Sequence, residues 1–226
     1  MAITKKKAAG IPTIDVELVV VRIGDEVDGT EIAVDTANKV AVEPQIETTD
    51  AVKLVKLGKI IAQKPSVTTI TGHKLTLTDN VFIPELVKIF QGGTITESDD
   101  SDYPTYEPPV AGSKDKGQVF DLDCYSAVYD AAGLIVKHEK ITYPNCQGEP
   151  IAISSEDGTF RIPEYTINSA PKTGQAPYKI SYVDELPDFD WTEYSLSIDS
   201  SLDNTIESEE ISDIDSDSEN DTDVNN

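Results

Sequence analysis

Two histidines, two cysteines and a few closely spaced carboxylates are the residues from which a catalytic or ligand site would have to be built in this 226-residue chain. His73 and His138 each fall in a run of strand-like alternation, flanked by Lys or Glu. A histidine so placed acts as a general base only if a nucleophile and an orienting acid converge on it. A half-exposed strand position is the plainer reading of both. Cys124 and Cys146 are too few and too far apart for a zinc knuckle, and nothing else argues for an oxidising compartment. They read as a small buried apolar residue at 124 and a loop thiol at 146, rather than as a disulfide. Asp121 and Asp123 share one face of a strand, which would suit a pair of acid/base carboxylates if burial raised one pKa; without that signal they read as a solvated face. The acids of GDEVDG, residues 24–29, invite a calcium loop. Gly24 and Glu26, however, sit where Asp or Asn would be needed and the closing Glu falls on Asp35, so the run reads as a turn. No GxGxxG, phosphate-binding GK[ST], HExxH or GxSxG run occurs in the sequence. The expectation is a chain that is not an enzyme and holds no cofactor or metal.

Charge narrows the partners. Of 42 carboxylates, 16 follow Val183, where there is no Lys or Arg, so residues 1–183 hold the other 26 against all 18 bases. A body with that surplus does not hold nucleic acid on its surface by phosphate neutralisation, which needs clustered Lys and Arg. There is no apolar run of 18 residues to span a bilayer, and Gly10, Pro12 and Asp15 interrupt any apolar segment behind Lys5, Lys6 and Lys7 that could make a signal peptide. Synthesis in a cytoplasm, without export or membrane partners, is expected.

The elements that carry these residues are mostly short strands. The stretch 56–96 is predicted to contain two strands, with Val55, Leu57 and Ile61 in one phase and Leu75 and Leu77 in another, a reversal at Lys64–Pro65 and a bulge or bend at Gly72. It ends in a helix of roughly ten residues, capped by Asp79 or Asn80, with Pro84 near its first turn, Leu86 and Phe90 on its inner flank, and Gly92–Gly93 as the stop. Ile14, Val16, Leu18 and Val20 mark a first strand. DTANK, residues 35–39, is read as a hairpin turn between Ile32–Val34 and Val40–Val42. Residues 96–117 show no period and read as a long functional loop. Phe120, Leu122, Cys124 and Val128 form an apolar strand face that turns at DAAG, residues 130–133, into a paired strand 134–143; further strands run through Phe160, Ile162 and Tyr165 and through Tyr178, Ile180 and Tyr182. The fold expected is mainly β, an antiparallel sandwich or barrel with one flanking α-helix. Residues 1–11 form a flexible arm, 12–187 the β domain, and 188–226 a disordered acidic tail too poor in apolar surface to order itself. Trp191 and Tyr194 within that tail read as anchors of its first turn.

The runs GHKLTLTDNVFIPELVKIFQGGTIT, PPVAGSKDKGQVFDLDCYSAVYDAAGLIVKHEKITYPNCQGEP and FRIPEYTINSAPKTGQAPYKISYVDELP resemble the major tail, or tail tube, protein of long-tailed bacteriophages of Gram-positive hosts. The resemblance spans roughly residues 30–187; the acidic tail departs from it. It implies a structural virion protein, made in the bacterial host cytoplasm, whose hexameric rings stack into a hollow tube through which DNA is ejected. Its implied partners are further copies of itself, other tail proteins such as the tape measure, terminator and baseplate, and DNA passing without sequence-specific binding.

Strand edges must be paired or covered, and a closed ring pairs them without leaving an open fibre, while stacking is a heterologous contact that does not close. A bore lined by carboxylates and hydroxyls repels phosphate, so DNA slides. Asp121, Asp123, Thr76 and Thr78 are the candidate lining, with an outward-facing solvated surface as the alternative. Lys5, Lys6 and Lys7, together with Tyr103 and Tyr106 of the 96–117 loop, are the candidate ring-to-ring contacts. The acidic tail is expected outside the tube. A monomeric β-barrel binding module and a surface adhesin domain are the competing classes.

Overall fold

The computed structural model describes residues 10–24, 29–98 and 101–189, with the backbone alone at 14, 15, 97, 98 and 101–103. Lys5 to Lys7, the acids at 25–28, Trp191, Tyr194 and the tail beyond Phe189 lie outside the described residues. In chain order the strands begin with β1 (Thr13–Ile23), β2 (Thr30–Val34), β3 (Ala37–Thr49), β4 (Val52–Lys56), β5 (Lys59–Lys64) and β6 (Val67–Asp79). After the helix α1 (Pro84–Gln91) come β7 (Thr94–Ser98), β8 (Ser101–Glu107), β9 (Phe120–Tyr129), β10 (Ile135–Gly148), β11 (Glu164–Ser169) and β12 (Lys179–Val183).

The main sheet has 8 strands, antiparallel at every pairing, in the order β2-β1-β9-β10-β11-β6-β3, with β12 on the free part of the β10 edge. β2 and β3 stand at its two ends, yet only Asp35 and Thr36 separate them in sequence. A sheet whose ends are joined by two residues has to curl until they meet, and this one encloses a single core. Val19, Val21, Val34, Leu75, Leu77, Leu122, Tyr165 and Ile167 fill it from the strands. The DTANK segment is therefore not a hairpin turn: β2 pairs with β1 and β3 with β6. Alternation flanking a short polar run looks the same in sequence whether the chain reverses or turns a corner.

Helix α1 plugs the curled sheet. Leu86, Val87, Ile89 and Phe90 are buried, and Phe90 packs against Phe120 and Tyr165 with ring centroids 5.2 Å apart in both pairs. Each such side chain taken out of water contributes on the order of 1.5–3 kcal/mol. Pro84 opens the helix, and Gly92 at φ 85° ends it with its N–H bonded to the Lys88 carbonyl at 2.9 Å. The cap residue is Ile83 rather than Asp79 or Asn80. Asp79 is fully buried and its carboxylate accepts the Val81 N–H at 3.3 Å, a turn that precedes the helix. Gly148 of β10 lets the helix come close, since a Cβ there would overlap Phe90.

Two further segments differ from expectation. Within the expected loop, β7 pairs antiparallel with β8, and the Tyr106 hydroxyl donates to the Gly92 carbonyl at 2.8 Å. Phe160 and Ile162 precede β11 and lie in an exposed loop, because that strand begins only at Glu164. DAAG does turn β9 into β10, with Asp130 Oδ1 accepting the Ala132 and Leu134 N–H groups at 2.8 and 2.9 Å.

The stretch 37–79 folds as one long hairpin. β3 pairs with β6 from Ala37↔Asp79 out to Thr49↔Val67, and β4 pairs with β5 from Val52↔Lys64 to Lys56↔Lys59, with a bulge between Leu54↔Ala62 and Val55↔Ile60, so the chain reverses at Leu57–Gly58 and not at Lys64–Pro65. Beside Gly72 one extra residue bulges between Gln45↔Gly72 and Ile46↔Ile70, and a Cβ on Gly72 would strike the Ser169 carbonyl. Inward of that bulge Gly72, His73, Leu75, Leu77 and Asp79 of β6 are buried; outward of it, every residue from 46 to 71 is exposed. The outer part is a two-stranded arm.

Candidate functional site

Candidate surfaces for assembly are where apolar groups or strand edges remain unmet within the subunit. The arm is the larger of them. Ile46, Leu54, Ile60 and Ile61 each leave more than half of their surface in water, and Leu57 at the turn is 93 % exposed. A two-stranded ribbon without a packed face is marginal in water. The second surface is β12, whose one edge pairs with β10 while its other edge pairs with no strand among the described residues. Ile180 and Tyr182 of β12, and Tyr178 just before it, remain exposed.

The expected lining residues separate. Thr76 and Thr78 are partly exposed on the outer face of β6, beside Ala41 and Lys39 of β3 and Thr166 and Glu164 of β11. Asp121 and Asp123 lie on β9, with β10 and β11 intervening in the sheet. Asp121 is partly buried and accepts the Asn145 N–H at 2.8 Å, where β10 bulges and Asn145 takes φ 52°. Asp123 is 1 % exposed: its Oδ2 meets the Arg22 guanidinium at 2.7 Å and Lys140 Nζ at 2.9 Å, and its Oδ1 accepts from the Thr142 hydroxyl at 2.5 Å. A carboxylate held that way contributes nothing to a subunit's surface charge. Burial works against the Lys140 charge, but hydrogen bonds to Asp123 and Tyr125 raise its pKa overall.

Tyr125, together with Leu18 and Val20, forms a small second cluster on the outer face of β1 and β9, packed against Val183, Leu186 and Phe189. The apolar residues on both faces of β1 thus find cover within the chain. Of the expected ring-to-ring contacts, Tyr106 is partly buried, with its hydroxyl also accepting from Gln91 Nε2 at 2.7 Å, and Tyr103 lies in β8.

His138 is a partly exposed strand residue of β10 as expected, whereas His73 is not. His73 is buried edge-on between Tyr143 and Tyr178, with centroids 5.5 and 5.4 Å away, and desolvation lowers its pKa against a hydrogen bond to Pro177 that raises it. His138 Nδ1 stands 2.6 Å from Glu17 Oε2. Cys146 is buried in β10 rather than in a loop, and both thiols are free; burial pushes Cys146 up to about 12 and Cys124 higher still. Thiols so placed are poor nucleophiles. Parity in the sequence assigned these residues to faces, but nothing local in it signals which outer faces the segment 183–189 and β12 cover.

No family model matches this chain, and no curated protein does. Among solved structures it is similar to a chain of the anti-feeding prophage baseplate, determined by electron cryo-microscopy with six-fold symmetry imposed. The TM-score is 0.31 and the identity 8 %, over 76 % of this chain and 97 % of that one, a score below that of a shared fold. Among the described residues no helix is long and apolar enough to cross a membrane.

Proposed function

We propose that the chain is a non-catalytic structural subunit of a phage virion, copies of which close into hexameric rings that stack into the tail tube through which DNA is ejected. The observation that carries this reading is the arm: a ribbon of exposed Ile, Leu and Val that a lone subunit leaves in water and another copy can cover. The free β12 edge fits the same account, since a neighbour in a closed ring can pair with it. A ligand-binding barrel is a poorer fit, because Phe90, Phe120 and Tyr165 occupy the interior such a barrel would keep for its ligand.

The face that suits a bore is the one bearing Thr76 and Thr78. Lys39 and Lys74 on it are matched by Glu43 and Glu164, which leaves hydroxyls and no net cationic surface to retain phosphate. Assembly would take place in the bacterial host cytoplasm, with other tail proteins at the ends of the tube. Negative-stain microscopy of the concentrated full chain tests the reading: hollow tubes with six subunits in end-on view are expected, and solid fibres or rings of another count would refute it.

A further inference from the structure

We infer that the tip of the β3–β6 arm docks head to tail on the loop 149–164 of a second copy of this chain. The inference rests on the assembly reading above and names the contact that propagates it. Residues 51–66 carry four lysines, Lys53, Lys56, Lys59 and Lys64, and no carboxylate, in a chain of formal net charge -24. Lys56 and Lys59 are direct cross-strand partners beside the turn. Like charges so opposed are unfavourable until an anionic group comes between them. Val52 and Leu54 alternate with Val55, and with Ile60 and Ile61 at the bulge both faces of the ribbon present apolar surface. The occupant must therefore be both apolar and acidic.

The loop 149–164 has that character. Residues 152–162 are exposed without interruption; Phe160 is 94 % exposed, with Ile153 and Ile162 more than half exposed beside it. Glu156 and Asp157 are exposed as well. The one base in the loop, Arg161, is engaged within it, its guanidinium donating to Ser155 Oγ at 2.9 Å and lying over the Phe82 ring. The Pro163 carbonyl accepts the Asp79 N–H at 3.1 Å, which anchors the loop at one end of β6, whereas the arm tip lies beyond the other end. At about 3.3 Å per residue, the path from Leu57 to Asp79 is at most on the order of 70 Å long. Both patches are exposed in the single copy and do not cover one another there, so their contact is between copies, heterologous, and repeats from copy to copy.

The test is a charge swap in the full chain, read by sedimentation velocity. Lys56→Glu with Lys59→Glu, and separately Glu156→Lys with Asp157→Lys, should each raise the concentration at which large species appear by at least about tenfold, since opposed like charges cost more than the 1.4 kcal/mol that a tenfold shift represents. Combining all four substitutions should restore assembly. A combined variant no better than the worse of its parents overturns the contact, as does a tip variant that assembles like the wild type. A tip that engages nucleic acid or an anionic lipid surface instead would leave the Glu156 and Asp157 variant without effect. Wild-type tubes with indifferent variants would remove this contact and spare the tube. A wild type that stays single at every concentration would remove both.

Discussion

Asp123 shows how an exposed-looking carboxylate becomes structural. Its two cationic partners, Arg22 and Lys140, come from β1 and β10, so the ion group ties three strands together across the outer face. Removing one partner of a buried group strands the others, at about 3–5 kcal/mol. Asp123→Asn is expected to lower the unfolding free energy measured in urea by that amount, and a loss under about 1 kcal/mol, the scale of an exposed pair, would contradict the account. His73 carries the pH dependence. Its pKa is lowered from 6.5 in the folded chain, so below that value the unfolded chain takes up a proton the folded one refuses; stability is complete above 6.5 and falls as pH drops toward the folded pKa. His73→Phe should keep the aromatic packing and lose the Pro177 hydrogen bond, at about 1 kcal/mol that does not change with pH. Denaturation of both proteins from pH 7 to 5 should show the wild type losing stability relative to the variant; parallel curves would argue otherwise. Neither role could be read from the sequence, because alternation fixes which face a residue points to and says nothing of what covers that face.

Among the elements, local chemistry was the legible part. Pro84, Gly92 and the Leu86–Phe90 spacing specify α1, and Asp130 with Gly133 specifies the β9–β10 turn. Gly72 marked the bulge where β6 leaves the core. What alternation could not convey was pairing at a distance: β2 and β3 adjoin in sequence and sit at opposite ends of the sheet. The outer arm likewise reads as ordinary strands, since Leu54, Ile60 and Ile61 have the composition of a core and none of its burial. Because it shares no packing with the core, replacing residues 51–66 by Asn-Gly is expected to leave the thermal midpoint within about 2 °C of wild type, the shift that a few tenths of a kcal/mol would produce, while removing the large assemblies. A body that unfolds on losing the arm would show that the arm belongs to its core.

For the whole molecule, charge and exposed apolar surface divide the work. The chain's surplus of acid disfavours adhesion to DNA, and the face with Thr76 and Thr78 adds no net positive charge. Thr76→Lys with Thr78→Lys should give tubes that retain DNA in low salt and release it as salt rises, followed by co-sedimentation; tubes that ignore DNA at every ionic strength would move the bore to another face. Of this level the sequence conveyed the architecture, many antiparallel strands with one helix, because alternation and turn residues are local. The exposed arm needed the three-dimensional arrangement. Sedimentation velocity of the untagged full chain over a wide concentration range is the most direct measurement of the central claim that copies cover one another's exposed surfaces. A series of species far larger than the 24.6 kDa chain, growing with concentration, is the predicted result; a single boundary at the mass of one chain throughout would contradict it.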